Sequence, residues 1–305
     1  MGCTRHGQSA APVRVRRRSA GVGATHPNNH CISPVVSAIH FISGLPRSGS
    51  TLLAALLRQN PRVHAGMSGP VGGMLSVLQQ EMSARNEYAV FLSDAQRERI
   101  LRGVFEHYYG PEYEAAVIFD TNRVWCARMS LLRTLFPQGK VIACVRDLPW
   151  IIDSVERLIQ RNALSPSSIF NYQTSGTVYS RAEGIANGEG LVGYAYNALK
   201  EAFFGDYAAN LMLVQYDTLV AKPQLVLDAI YDFIGEPAFR HDFDNVRFEA
   251  DEFDARTGTP GLHAVRQRVV ATPRTSVLPP DIFQRFQNDA FWRNPALNTR
   301  KVRIV

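Results

Sequence analysis

The first 80 residues of this 305-residue chain contain no acidic side chain, and the first carboxylate is that of Glu81. The chain also lacks an apolar run of the roughly 18 to 20 residues that a membrane-spanning helix requires, so we expect no transmembrane segment. Its four cysteines form no Cys-x-x-Cys pair and have no metal-ligand spacing, which argues against a structural zinc site. Cys126 and Cys144 lie in apolar stretches, which predicts buried free thiols in a reducing compartment, the cytoplasm.

The N-terminal stretch, residues 1–36, carries a run of four arginines within its positively charged sequence, at 14, 16, 17 and 18. It is rich in Ser, Ala, Gly and Arg and has no hydrophobic period, which predicts a disordered basic tail. The alternatives are a targeting segment and a start site assigned too far upstream, which would make the N-terminus too long. The basic run has no interleaved aromatic residues and no recognisable nucleic-acid-binding module, so we expect no binding to nucleic acid.

Residues 37–305 have the features of one large folded domain, in a chain with ordinary hydrophobic (46%) and charged (20%) content. Short runs rich in Val, Ile, Phe or Leu alternate with stretches of helical composition. This alternation predicts a three-layer α/β fold, a parallel sheet with helices on both faces. The predicted strands are 38–43, 116–119, 140–145 and 211–215, and the predicted helices are 52–59, 73–85, 95–108, 128–136, 150–161, 194–204 and 223–234. We expect residues 239–305 to fold back over this domain as a lid.

Polar clusters follow the predicted strands, at 44–51, 120–123, 146–147 and 216–217. Ligands of doubly wound sheets bind beyond the carboxyl ends of the strands, so these clusters are expected to converge on one crevice.

The first cluster, GLPRSGST at 44–51, is a phosphate-binding loop that lacks its lysine. Its spacing fits the nucleotide P-loop, G-x-x-x-x-G-K-[ST], but Ser50 occupies the lysine position. A glycine-bounded turn between a strand and a helix aims backbone N–H groups and the helix N-terminus at an anion. The missing lysine argues against ordinary ATP chemistry, because that side chain reaches the β- and γ-phosphates. The predicted ligand is therefore a nucleotide whose 5′ end is not a triphosphate.

The third cluster places Arg146 at the end of a predicted strand, and Ser154 on the helix that follows. Pro149 suits the first turn of that helix, with Asp147 as its cap. Arg146 and Ser154 are then close enough to bind a single phosphate. The alternative is that Arg146 pairs with Asp147 and that Ser154 is an ordinary helical surface residue.

These clusters resemble the motifs of the sulfotransferases that use 3′-phosphoadenosine 5′-phosphosulfate (PAPS). That family carries a lysine-free loop, Pro-(Lys/Arg)-Ser-Gly-(Ser/Thr)-Thr, matched by residues 46–51, and an Arg followed eight positions later by a Ser, matched by Arg146 and Ser154. A late block at 216–237 is similar to the family's last strand–loop–helix. The resemblance covers roughly residues 39–237 and implies a P-loop-NTPase-like fold and sulfuryl transfer from PAPS. The arginine in the loop makes the chain more similar to tyrosylprotein and carbohydrate sulfotransferases than to the cytosolic small-molecule group.

The resemblance also implies roles for individual residues. Arg47 is expected near the bridging oxygen, where negative charge grows as the sulfuryl group leaves, and so acts as a catalytic residue. Arg146 and Ser154 are expected to hold the 3′-phosphate. No metal is implied, because the transfer leaves the nucleotide's phosphates intact. The other donor-binding residues implied are Ser48, Gly49, Ser50, Thr51, Tyr216, Arg256 and Gly258, of which the last two flank Thr257 where some members have Arg-Lys-Gly.

The general base is where the sequence departs from the family. Cytosolic members have a Lys and, two positions on, a catalytic His, where this chain has Asp120 and Asn122. A base must lie within hydrogen-bond reach of the acceptor hydroxyl, and Asp120 is predicted at a strand end that suits this role. A buried role for Asp120, with Arg123 as its partner, is the alternative. His64 and His263 are the weaker candidates for the base.

The expected acceptor is a hydroxyl compound: a sugar, a peptide tyrosine or a small alcohol. Residues 165–196, rich in Tyr, Gly and Ser, suit a mobile cover over the crevice, and residues 69–82 suit a helix beside it. A homodimer is possible. Two other functions fit parts of the sequence: a P-loop kinase that has lost its lysine, and a catalytically weakened homologue that only binds nucleotide.

Overall fold

The fold is known from a computed structural model that describes residues 38–110, 113, 115–164, 166–170 and 175–305. The predicted basic tail at 1–36 lies outside the described residues. The predicted cover at 165–196 lies partly outside them.

One sheet organises the described chain. Its six strands are parallel and lie in the order β2-β3-β1-β4-β5-β6. The strands are β1 (Ala38–Gly44), β2 (Val63–Ala65), β3 (Val117–Thr121), β4 (Val141–Val145), β5 (Leu211–Gln215) and β6 (Arg303–Ile304). The four predicted strands are confirmed to within two residues at each end. The two strands that the sequence did not reveal, β2 and β6, have three and two residues, too few for a periodic signal.

Helices cover both faces of this sheet. They are α1 (Ser50–Leu57), α2 (Val71–Glu81), α3 (Asp94–Tyr108), α4 (Met129–Leu135), α5 (Leu148–Arg161), α6 (Val178–Ala186), α7 (Leu191–Phe204), α8 (Tyr216–Ala221), α9 (Pro223–Ile234), α10 (Asp251–Arg256) and α11 (Pro280–Arg285). All seven predicted helices are present. Of the four others, α8, α10 and α11 are six residues long and α6 is nine, so they show at most two and a half turns of apolar period.

Two apolar cores, one on each face, confirm the three-layer architecture. Successive strand side chains point to opposite faces, so in β4 Val141, Ala143 and Val145 enter one core while Ile142 and Cys144 enter the other. The first core packs beneath α2 to α7 and α11, and the second beneath α1, α8 and α9. Both Cys126 and Cys144 are buried free thiols, as predicted.

The C-terminal segment is divided between the body of the fold and the crevice. Leu278, Trp292 and Val302 are buried in the first core, and β6 pairs with β5 at the sheet edge. The last part of the predicted lid at 239–305 therefore belongs to the folded body. The residues of this segment that line the crevice described below lie between Phe253 and Arg274. Among the described helices, none is both long and apolar enough to cross a membrane.

Candidate functional site

A large crevice of about 1010 Å³ opens beyond the carboxyl ends of the central strands. The residues that follow β1, β3, β4 and β5 all contribute to its wall, so the predicted convergence of the polar clusters is confirmed. Ligand pockets commonly occupy roughly 300 to 1,000 Å³, which makes this crevice large enough for a nucleotide and a second substrate.

The phosphate loop joins β1 to α1 through two glycines in the left-handed region. Gly44 has φ 99°, and a Cβ there would lie 2.3 Å from the backbone oxygen of Cys144. Gly49, at φ 92°, caps α1, and its Cβ would lie 2.9 Å from the ring of Tyr216. Only glycine fits either position without displacing a neighbour. The loop therefore brings backbone and helix N-terminus close to the crevice.

Arg47 lies at the centre of the site in a strained backbone conformation, at φ 58°. Its Nε donates to Ser154 Oγ at 3.1 Å, and its Nη1 donates to the backbone oxygen of Leu262. Burial, followed by the charges of Arg146 and Arg161, lowers the pKa of Arg47 to about 10. It remains a cation at neutral pH, fixed between α5 and the C-terminal segment.

Arg146 follows β4 and lines the crevice. Its guanidinium stacks on the ring of Tyr216, 4.1 Å from the centroid, and its buried Nε has no hydrogen-bond partner in the described structure. Burial, then repulsion from Arg274, lowers the pKa of Arg146. Asp147 does not pair with Arg146 in an ion pair; it lies 3.0 Å from Arg293. Arg146 is therefore left available to a ligand.

The other predicted loop and helix residues occupy different depths. Gly49, Ser50 and Thr51 line the crevice, as does Ser154. Ser48 is buried beneath the loop, and its hydroxyl donates to the Pro46 backbone oxygen at 3.4 Å. The structure thus brings seven of the predicted donor-binding residues into the lining: Arg47, Gly49, Ser50, Thr51, Arg146, Ser154 and Tyr216.

The last two residues predicted to bind the sulfuryl donor, Arg256 and Gly258, are not in the crevice lining. Arg256 ends the short helix α10, where an ion pair with Glu252 at 2.8 Å leaves both side chains about four-fifths exposed. Of this turn only Thr257 lines the crevice. The structure gives no support to these two predictions, since the turn directs a different residue to the site.

Arg274 is a crevice residue that the sequence analysis missed. Its guanidinium donates to the Trp150 backbone oxygen and lies 3.0 Å from Asp153, a fully buried carboxylate on α5. Asp153 also accepts from the Val277 backbone N–H, which holds the segment after Arg274 against α5. The available signal was the cluster of arginines at 266, 268 and 274, all of which line the crevice.

His263, a weaker candidate in the sequence, is the one histidine in the described lining of the crevice. Its Nδ1 lies 2.5 Å from Asp254 Oδ1, and its backbone N–H donates to Asp254 Oδ2 at 2.8 Å. Asp254 is only 1% exposed, so its charge acts in a medium of low polarity. In the described structure Nε2 has no hydrogen-bond partner, and the residue lines the crevice wall. A carboxylate on Nδ1 leaves Nε2 free to accept a proton.

Asp120, the predicted base, is placed differently. It is fully buried and does not line the crevice, and its two oxygens accept from Tyr109 Oη at 2.7 Å and Trp125 Nε1 at 2.9 Å. Burial raises the pKa of Asp120 to about 6. Of the two interpretations of Asp120, the geometry favours the buried one, with Tyr109 and Trp125 as partners in place of Arg123. His64 packs against Tyr109 and does not line the crevice either.

The crevice is strongly positive. Seven arginines line it, against Asp217 alone among the acidic residues of the described lining. Asp217 itself is engaged, at 3.1 Å, by Arg293. No group of His, Cys, Asp or Glu side chains in the described ranges is arranged to hold a metal ion. The site is suited to a ligand with several negative charges.

Comparison with known proteins agrees with this chemistry. Residues 40–241, more than half of the chain, match the model of the sulfotransferase family. No curated protein matches the sequence.

Solved structures with partial likeness are also sulfotransferases. The sulfotransferase domain from the Synechococcus PCC 7002 olefin synthase is 20% identical, with a TM-score of 0.41 over 81% of this chain and 92% of that one. Sulfotransferase STF9 from Mycobacterium avium is 14% identical, with a TM-score of 0.43 over 85% and 77%. The sulfotransferase from Alicyclobacillus acidocaldarius is 14% identical, with a TM-score of 0.44 over 72% and 91%.

Proposed function

This chain belongs to the sulfotransferase family, and we propose that it transfers the sulfuryl group of PAPS to the hydroxyl of an acceptor. The observation that carries the proposal is the meeting of a lysine-free phosphate loop with Arg47, Arg146 and Ser154 in one positive crevice. An ATP-dependent kinase would need the lysine that Ser50 replaces. The atypical-kinase alternative is therefore disfavoured.

The donor's phosphates fit two parts of the crevice. Loop N–H groups, the start of α1, Ser50 and Thr51 would bind the 5′-phosphate, since helix N-termini attract anions. Arg146 would bind the 3′-phosphate. Its buried Nε without a partner and its place on the Tyr216 ring support this role. Arg274, held beside it by Asp153, would add a second cation there.

The acceptor hydroxyl would lose its proton to His263. As its oxygen forms a bond to sulfur, the bond from sulfur to the bridging oxygen breaks, and the hydroxyl proton passes to Nε2. Asp254 would stabilise the resulting imidazolium through Nδ1. Negative charge grows on the departing oxygen of the nucleotide, where Arg47 would stabilise the transition state more than the ground state.

Nucleotide binding provides the first test of this proposal. Thermal unfolding would be followed with 3′-phosphoadenosine 5′-phosphate (PAP), with ATP and Mg²⁺, and with no nucleotide. A ligand at 100 times its Kd stabilises the native state by about 2.7 kcal/mol, so a PAP-specific shift is easily measured. Stabilisation by ATP and Mg²⁺ alone would refute the proposal.

Transfer of labelled sulfate from PAPS to a panel of sugars, peptides and small alcohols then tests the reaction. Formation of a sulfated product with any of these acceptors would support an enzymatic function. PAP binding without transfer to the panel or hydrolysis of PAPS would instead favour the homologue that only binds nucleotide. The cytoplasmic location, the homodimer and the likeness to tyrosylprotein and carbohydrate types stay predictions.

A further inference from the structure

Arg123 has a firmly held backbone at the part of the crevice wall that follows β3. It begins a short 3₁₀ helix, Arg123–Arg128, directly after β3 and Asn122. The Asn122 side chain caps this helix by accepting from Val124 N at 3.2 Å. Ser43 Oγ, on the neighbouring strand β1, donates to the Arg123 backbone oxygen at 3.1 Å. A side chain carried on such a backbone suits a specific binding role.

The guanidinium of Arg123 has no charge partner in the described structure. No ion pair or side-chain hydrogen bond joins it to any described residue, whereas Arg274 has Asp153 and Arg268 has Asp244. Burial lowers the pKa of Arg123, and the only described group that opposes this shift is the phenol of Tyr194. A partly desolvated cation without an anion is unfavourable, so this position suits a ligand that supplies one.

Arg123 is also separate from the arginines assigned to the donor. In the sheet, β1 lies between β3 and β4, so one strand separates the end of β3, which Arg123 follows, from the end of β4, which Arg146 follows. The charge of Arg146 lowers the pKa of Arg47, and the charge of Arg274 lowers that of Arg146. None of them is among the groups that shift the pKa of Arg123. The neighbouring lining residues of Arg123 are instead Thr121 and Asn122, from the end of β3.

We propose that Arg123 binds a carboxylate on the acceptor, so that the preferred acceptors are hydroxyl compounds that also carry an acidic group. This inference rests on the proposed function, because it assigns the donor's charges to the other arginines. A planar guanidinium binds a carboxylate through two parallel N–H donors, which fixes the orientation of the acceptor as well as its charge. The acceptor class is thereby narrowed from any alcohol to hydroxy acids, acidic sugars and similar compounds.

Matched acid and neutral pairs test this inference on the PAP-saturated protein. The pairs are D-glucuronate with D-glucose, and 4-hydroxyphenylacetate with 4-hydroxyphenylethanol, each titrated by thermal shift. We expect the acid of at least one pair to bind about tenfold or more tightly than its neutral partner, the effect of one charge-assisted contact. Arg123→Gln should abolish that preference, and Arg123→Lys should keep part of it.

Arg99→Gln is the matched control, because Arg99 is exposed on α3 and lies outside the crevice lining. It should leave the preference for acids unchanged. A wild-type protein that prefers neither acid, or an Arg123→Gln variant that keeps the preference, would overturn the inference. A loss of PAP affinity in Arg123→Gln as large as its loss of affinity for the acid would also overturn the inference, because it would place Arg123 in the donor site. Failure of the wild-type protein to bind PAP is a separate result, and it would refute the proposed function itself.

Discussion

The two walls of the crevice differ in how the chain builds them. The loop wall is eight consecutive residues, Gly44 to Thr51, whose shape follows from two glycines and the start of α1. The C-terminal wall, residues 254–274, has no such local motif. Groups that are distant in sequence hold it in place. Arg47 bonds the Leu262 backbone oxygen, and Asp153 on α5 holds Arg274. The comparison teaches that the proposed donor loop is a local motif, whereas the wall that carries the proposed base is held in place by long-range contacts.

Two buried carboxylates make the same point. Asp120 and Asp254 are both almost fully buried, at 0% and 1% exposed. Asp120 accepts from a phenol and an indole behind the sheet end, whereas Asp254 holds a histidine that lines the crevice. Burial alone therefore does not distinguish a structural carboxylate from one that orients a base, because the partner decides the role.

The largest expected effect comes from the C-terminal wall. We predict that His263→Ala lowers kcat for sulfate transfer by about 10²- to 10⁴-fold, the usual contribution of a general base, and leaves PAP affinity unchanged. Transfer assays and PAP titration of the same preparation measure the two quantities. His64→Ala is the control, because His64 packs against Tyr109 away from the crevice lining. Near-normal turnover in His263→Ala would show that the general base does not lie on this wall.

The second prediction concerns Asp120 and the pH dependence of stability. Burial raises the pKa of Asp120 from 3.8 to about 6, so between these values the folded state binds more protons than the unfolded state. The free energy of unfolding should therefore fall by about 3 kcal/mol over the whole titration, about 2 kcal/mol of it between pH 4 and 6, and Asp120→Asn should remove that fall.

Urea unfolding of both proteins across this pH range measures the difference. Sulfate transfer by Asp120→Asn at neutral pH gives a second readout. A structural carboxylate predicts that transfer survives, while loss of transfer with normal folding and PAP affinity would restore Asp120 as the base.

The smallest expected effect comes from the donor side. Arg146→Ala should weaken PAP binding about ten- to a hundredfold, because it removes charge-assisted bonds worth about 1.5 to 3 kcal/mol. Adenosine 5′-phosphate, which lacks the 3′-phosphate, should bind nearly as before. Isothermal titration with both nucleotides measures the contrast. Arg256→Ala is the control, since its exposed pair with Glu252 predicts almost no change. Equal weakening of both nucleotides by Arg146→Ala would contradict its assignment to the 3′-phosphate.

Sequence reasoning worked wherever a feature is local and contiguous. The four core strands and the phosphate loop follow from apolar runs and glycine spacing, and Arg146 and Ser154 lie on one strand–helix unit. It failed for β2 and β6, which are too short for a period and exist only because neighbouring strands pair with them. The structure gives no support to the assignment of Arg256, because its turn directs Thr257 to the crevice.

The sequence by itself determined the family and predicted the donor site, because a lysine-free loop and an Arg–Ser pair are short-range patterns with direct chemical meaning. Only the tertiary structure decided that Asp120 is buried away from the crevice lining and that His263, held by Asp254, lines the crevice. In the sequence Asp120 and His263 were both candidates for the base, and Asp254 carried no signal. Their roles depend on burial and on partners, in the case of Asp120 and His263 on groups up to eleven positions away, brought together by packing. Side-chain orientation at that range is set by the folded core and not by local sequence preference.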